Sequence, residues 1–104
     1  MDSSSILSTA VSGLHASARR AQAAADNIVN ANTPDFTAVS VRTTSLATDG
    51  APGGVVAQTV VGANGVDLAS ELVSLILAQV SYNANAQVVQ VGDSLARTLI
   101  DVTA

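Results

Sequence analysis

The sequence predicts a mainly α protein: two long terminal helices packing as an antiparallel helical hairpin or coiled coil, with a short β-hairpin or loop between them. Three observations carry this expectation. Apolar residues recur every three or four positions through both ends of the chain, the period of one helix face. The stretch between those ends is rich in β-branched residues and broken by glycine and proline, which are strand and turn signals. The apolar content is Ala, Val, Leu and Ile, with no Trp, one Phe and one Tyr, side chains better suited to close helix packing than to a bulky core. At 104 residues the chain is expected to form a single domain, with little bulk for an independent core. Its parts are an N-terminal helix over 3–31, an extended or looped segment over 36–65 and a C-terminal helix over 67–102.

In the first part Leu7, Val11, Leu14, Ala18, Ala21, Ala25 and Ile28 alternate spacings of four and three without a miss. This is a heptad seam of the kind that wraps around a partner helix with a left-handed twist. Ser3, Ser4 or Ser5 can cap its start. Asn30, Asn32 and the Thr33-Pro34 bond end it, because a residue before proline is pushed out of the helical region. The stop is dense: Asn27, Asn30 and Asn32 crowd together just ahead of Thr33, Pro34 and Phe36. These asparagines can satisfy the last helical carbonyls or bridge to a neighbouring subunit.

The middle holds "FTAVSVRTT" and "VVAQTVV", separated by "DGAPGG", so a hairpin or a mobile loop is expected there. The last part starts near Asp67, a plausible N-cap, and places Val66, Ala69, Val73, Leu77, Val80, Ala84, Val88, Val91, Leu95, Leu99 and Val102 at steps of three, four and four. That eleven-residue period predicts a straight or slightly right-handed path. Leu68, Leu72, Leu75 and Ile76 widen the apolar surface in its first half, beyond what one facing helix covers. Gly13 and Gly92 sit inside the helices, each about 1 kcal/mol worse than Ala unless close backbone approach uses them. A monomeric helical hairpin would also show apolar stripes; the wide face and the two glycines favour self-assembly.

Composition narrows the chemistry. Net charge is −4, and the basic residues are four arginines with no lysine, which disfavours nucleic acid and anionic membrane surfaces as partners. Without cysteine there is neither a disulfide nor a thiolate metal site. The N-terminal residues lack a basic, apolar-cored secretory signal, so export would need a route without a cleaved signal. No apolar run approaches a membrane span. A catalytic triad would have to use the single histidine, His15, which is off the seam and reads as a surface residue. Only Asp67 and Glu71 stand at helical i, i+4 spacing as carboxylates, and two acids at a helix start more commonly serve the macrodipole than a cation. "DGAPGG" lacks the Lys and following helix of a phosphate loop. No cofactor, metal, small-molecule substrate or enzymatic activity is expected.

Two blocks resemble a known family. "ILSTAVSGLHASARRAQAAADNIVNANTPDFT" is similar to the N-terminal signature of bacterial flagellar basal-body rod proteins, carried by Ser12, Gly13, Leu14, Asn27, Ile28, Asn30, Asn32, Thr33, Pro34 and Phe36. "VDLASELVSLILAQVSYNANAQVVQVGDSLARTLIDV" looks like the C-terminal helix of the same family, through Val66, Asp67, Leu68, Glu71, Leu72, Val73, Tyr82, Ala84 and Asn85. The resemblance implies a structural subunit of the proximal-rod type in a short form. Its terminal helices would pack as a coiled coil in an axial tube and self-assemble with other rod subunits into the drive shaft for motility. It also implies passage through the flagellar type III export apparatus to a periplasm-spanning basal body. The packing residues expected to carry assembly are Leu7, Val11, Gly13, Leu14, Ile28, Leu72, Leu75, Leu77, Val80, Val88, Leu95 and Leu99. Asp35 stands where the family has Gly, Thr37 where a basic residue is common and His15 where Gln is frequent. A second reading is a small helical-hairpin adaptor or chaperone-like dimer without a rod role.

Overall fold

The computed structural model describes residues 3–48 and 51–103, with side chains over 6–46 and 53–102. It has four elements: helix α1 (Ser3–Val29), strands β1 (Val39–Thr48) and β2 (Ala51–Val61), and helix α2 (Leu68–Thr103). The capping expected from Ser3, Ser4 or Ser5 lies outside the described side chains.

α1 gives way to a hydrogen-bonded turn two residues before the expected limit: Asn30 N–H reaches Asp26 O (3.1 Å) and Ala31 N–H reaches Ile28 O (3.3 Å). The strands then form an antiparallel ribbon, from Val39 opposite Val61 to Thr48 opposite Ala51, with an irregularity between Ser45 and Ala47. The hairpin alternative is therefore the correct one. The "DGAPGG" segment divides differently from the expectation: Ala51 to Gly54 already belong to β2, and residues 49–50 lie outside the described ones. Pro52 pairs with Ala47 beside the irregularity, the kind of place where a strand tolerates proline.

α1 is the middle layer. It packs against both strands on one side and against α2 on another, while the described part of α2 makes no comparable packing with the ribbon. The molecule is long and thin, 62 × 28 × 14 Å, its length set by α2, whose 36 residues span about 54 Å at 1.5 Å each. The helices run in opposite directions, since Leu7 meets Gly92 and Gly13 meets Asn85. α2 begins as expected at Asp67, whose carbonyl accepts from Glu71 N–H (3.0 Å). Its carboxylate accepts from the Ser70 hydroxyl (3.0 Å).

The core is made of the smallest side chains. Among the described residues, the buried hydrophobic ones are Ala10, Ala16, Ala23, Ala24 and Ala78, joined by polar Ser17 and Asn27. No Leu, Ile, Val or Phe is buried among them. Fully burying a large aliphatic or Phe side chain contributes about 1.5–3 kcal/mol and an alanine methyl far less, so this fold gains little from its own interior.

Within one chain the two helices do not meet along the predicted seams. The side of α2 that meets α1 carries Leu75, Ala78, Asn85, Val89, Gly92 and Ala96, all buried or half-buried, at steps that sum to heptads. The eleven-residue stripe lies elsewhere around α2, and Val73, Leu77, Val80, Val88, Val91, Leu95, Leu99 and Val102 are all exposed. On α1 the offset is smaller. Leu7, Leu14, Ala21 and Ile28 are half-buried, but Val11, Ala18 and Ala25 are exposed, and the fully buried positions include Ala10, Ser17 and Ala24. The reason is geometric: close approach of two helices selects short side chains, whereas hydropathy weights the long ones.

Candidate functional site

Two features stand out from the helical framework: the corner that joins α1 to the ribbon, and the exposed apolar face of α2. At the corner, Asn27 is fully buried, 0% exposed. Its Nδ2 donates to Val39 O and its Oδ1 accepts from Val39 N–H, both at 2.8 Å. One side-chain amide thus offers donor and acceptor to one residue, as a neighbouring strand would. Since Val39 turns both groups away from β2, its pairing with Val61 is of the non-hydrogen-bonded kind.

The opposite edge of the ribbon is tied to α1 by Ser12. Its hydroxyl donates to Thr9 O (2.7 Å) and accepts from Val55 N–H (3.1 Å). Beside it, Gly54 has φ +95°, and a Cβ there would run into the Ser12 hydroxyl. Asn27 and Ser12 are fifteen residues apart, about 22 Å along the helix, so α1 crosses the ribbon from one edge to the other. Arg20 adds a contact between them, from Nη2 to the Thr43 hydroxyl (3.2 Å).

The turn after α1 is built by its own residues. Asn30 Nδ2 donates to Asp26 O (2.9 Å), satisfying a terminal carbonyl, and Asn30 Oδ1 accepts from the Thr33 hydroxyl (3.1 Å). Thr33 N–H donates to Asn30 O (3.0 Å), and Phe36 N–H donates to Thr33 O (3.3 Å). Thr33-Pro34-Asp35-Phe36 is then a turn with proline second and a left-handed residue third, the type II pattern. Asp35 is that residue, with φ 62°, a conformation costing a side-chain-bearing residue roughly 1–2 kcal/mol, less for Asp than for most. Asn32, Thr33, Pro34 and Asp35 are exposed, and Phe36 is half-buried.

On α2 the exposed face includes Leu72, Val73, Ile76, Leu77, Val80, Val88, Val91, Leu95 and Leu99, at 42–61% exposure. The packing residues expected from sequence therefore separate into two sets. Leu7, Gly13, Leu14, Ile28 and Leu75 are half-buried. Val11, Leu72, Leu77, Val80, Val88, Leu95 and Leu99 face outward. Of the motif residues on α2, Asn85 packs against Gly13, where a Cβ would fall 2.8 Å from its Oδ1. Its amide donates to Ser81 O (3.0 Å). Tyr82 is 44% exposed, Glu71 half-buried and Asp67 exposed.

The apolar pattern did not reveal the α1-facing stripe of α2, because four of its six residues are Ala, Gly or Asn. Its signal was the small-residue spacing of Ala78, Asn85, Gly92 and Ala96. The chemistry of the rest is sparse. His15 is exposed, no group of three or more potential metal ligands occurs among the described residues, and none of their helices is long and apolar enough to cross a membrane.

Compared with curated proteins one by one, the chain matches none. Two family profiles do match. The one described as flagella basal body rod protein covers residues 7–37, from the first seam leucine through the corner. The one described as flagellar basal body rod FlgEFG protein C-terminal covers residues 57–102, the later part of β2 and nearly all of α2. The two matches fall in order on the two segments that the sequence motifs had marked, and on that ground the chain belongs to the flagellar basal-body rod protein family.

Proposed function

We propose that this chain is a structural subunit of the flagellar rod, of the short proximal type, which acts by polymerising through its terminal helices. The observation that carries this reading is the outward face of α2, where Val73, Leu77, Val80, Val88, Val91 and Leu95 are exposed, while among the described residues the only buried hydrophobic side chains are alanines. In this reading neighbouring subunits cover that face, and the eleven-residue stripe, with Val11, Ala18 and Ala25 of α1, forms the coiled-coil seam between chains. The corner fixes the angle at which the ribbon leaves the helical layer. The subunit's partners are other copies, other rod subunits and the flagellar export apparatus. It needs no cofactor and performs no catalysis.

Mass spectrometry of purified hook–basal bodies tests this directly. The chain is expected among the rod components, at a stoichiometry comparable to its neighbours; its absence from assembled basal bodies would remove the rod role.

A further inference from the structure

The chain has asparagines at 27, 30, 32, 64, 83 and 85, and only Asn64 is followed by glycine. Asn32 is also exposed, but threonine follows it. Asn27 is buried and bonded at both side-chain atoms, Asn30 and Asn85 donate to main-chain carbonyls of their own helices, and Asn83 lies within α2. Asn64 lies in the bend between β2 and α2, and both it and Gly65 are exposed. A Cβ at Gly65 would meet nothing within 4 Å.

We propose that Asn64-Gly65 is a site of spontaneous deamidation that converts Asn64 to a mixture of isoaspartate and aspartate. The inference is independent of the rod assignment. The Gly65 main-chain nitrogen, losing its proton, attacks Asn64 Cγ. A new N–Cγ bond forms, the Cγ–Nδ2 bond breaks, and Nδ2 leaves as ammonia with the proton, closing a five-membered imide. Water then opens the ring. Attack at Cγ restores the ordinary chain with an aspartate side chain. Attack at the main-chain carbonyl carbon leaves the chain running through Cβ and Cγ, with the former carbonyl as a free carboxylate. Water is the single co-reactant, and no oxidant or reductant is needed. Glycine at 65 matters because a side chain there would crowd the approach of nitrogen to Cγ, and the surrounding open space leaves room for the ring.

The position gives the reaction a structural consequence. Asn64 O accepts from Ala38 N–H (2.9 Å), and Gly62 N–H donates to Ala38 O (2.8 Å), closing the base of the ribbon beside the Asn27–Val39 pair. In the isoaspartyl product that carbonyl leaves the main chain, the backbone gains a methylene and a negative charge appears three residues before the α2 cap.

The full chain is held in mildly alkaline and mildly acidic buffer, with amide loss followed by peptide mass spectrometry and isoaspartate by isoaspartyl methyltransferase labelling. Conversion is expected to concentrate at Asn64, to run faster in the alkaline buffer and to give methyltransferase-labelled product. Gly65→Ala should slow it roughly tenfold, the effect of a barrier about 1.4 kcal/mol higher, and Asn64→Gln should remove the labelling. Amide loss spread evenly over the six asparagines would overturn the proposal, as would an intact Asn64 or an unchanged rate in Gly65→Ala.

Discussion

Truncating Asn27 to alanine would leave Val39 N–H and C=O facing a helix that offers them nothing, since both bonds come from that one amide. An unsatisfied buried polar group costs about 1–3 kcal/mol, and Val39 is half-buried, so Asn27→Ala should destabilise the chain by roughly 2–3 kcal/mol. Urea denaturation measures the loss, and hydrogen exchange at the Val39 amide should accelerate with it. Unchanged protection at Val39 would mean that the amide clamp is not what holds the ribbon. Asp35 gives the opposite kind of test. Its φ of 62° is open to glycine without strain, so Asp35→Gly should be neutral or slightly stabilising. Asp35→Val, β-branched at a left-handed position, should cost about 1–2 kcal/mol in the same denaturation experiment. Glycine is usual at that position in the related motif, which accords with the left-handed conformation of Asp35. The double bond from Asn27 to Val39 was not legible from sequence. A row of asparagines at a helix end announces capping, and nothing local says that one of them reaches across to a strand twelve residues on.

At the scale of the elements, the existence of both helices followed from spacing, and the start of α2 from the Asp67 cap, because these are local signals; α1 ended two residues short of its expected limit. Which face of α2 meets α1 did not follow, because it is settled by how closely two backbones can approach. Gly92 shows the constraint: an added Cβ would stand 2.8 Å from Leu7 Cδ2. Gly92→Ala should stay within about 1 kcal/mol of the parent, since the tip of Leu7 can shift and alanine gains helix propensity. Gly92→Val adds branching that this shift cannot absorb, and should cost roughly 1–3 kcal/mol through overpacking. Thermal or urea unfolding of the pair checks the difference. Equal stability of the two variants would mean that the helices are not in close contact at this level. The ribbon was legible as two β-branched runs. That its glycine-rich part would enter β2 was hidden by reading glycine and proline as turn alone, whereas Gly54 serves as the gap into which the Ser12 hydroxyl fits.

The whole molecule is a thin plate with helical apolar surface on its outside and alanine within. Under the proposed rod role, such an arrangement would separate folding from assembly: the α1–α2 contact would hold the shape, and the outward stripe would be left for other chains. Substitutions on the two faces should therefore fail differently. Leu75→Asp, at the half-buried α1-facing side, should lower helicity and stability of the isolated chain. Leu77→Asp and Leu95→Asp, at 60% and 58% exposure, should leave circular dichroism unchanged. His15→Gln, on the exposed side of α1, should leave both assembly and motility intact, and a motility defect there would reopen a chemical role for the histidine. The central claim is that the outward face of α2 is the polymerisation surface. Sedimentation of the purified full chain beside its Leu77→Asp/Leu95→Asp double variant, with electron microscopy of the pellets, tests it most directly. The account predicts helical polymers from the parent and a helical but non-polymerising variant; polymers formed equally by both would contradict it.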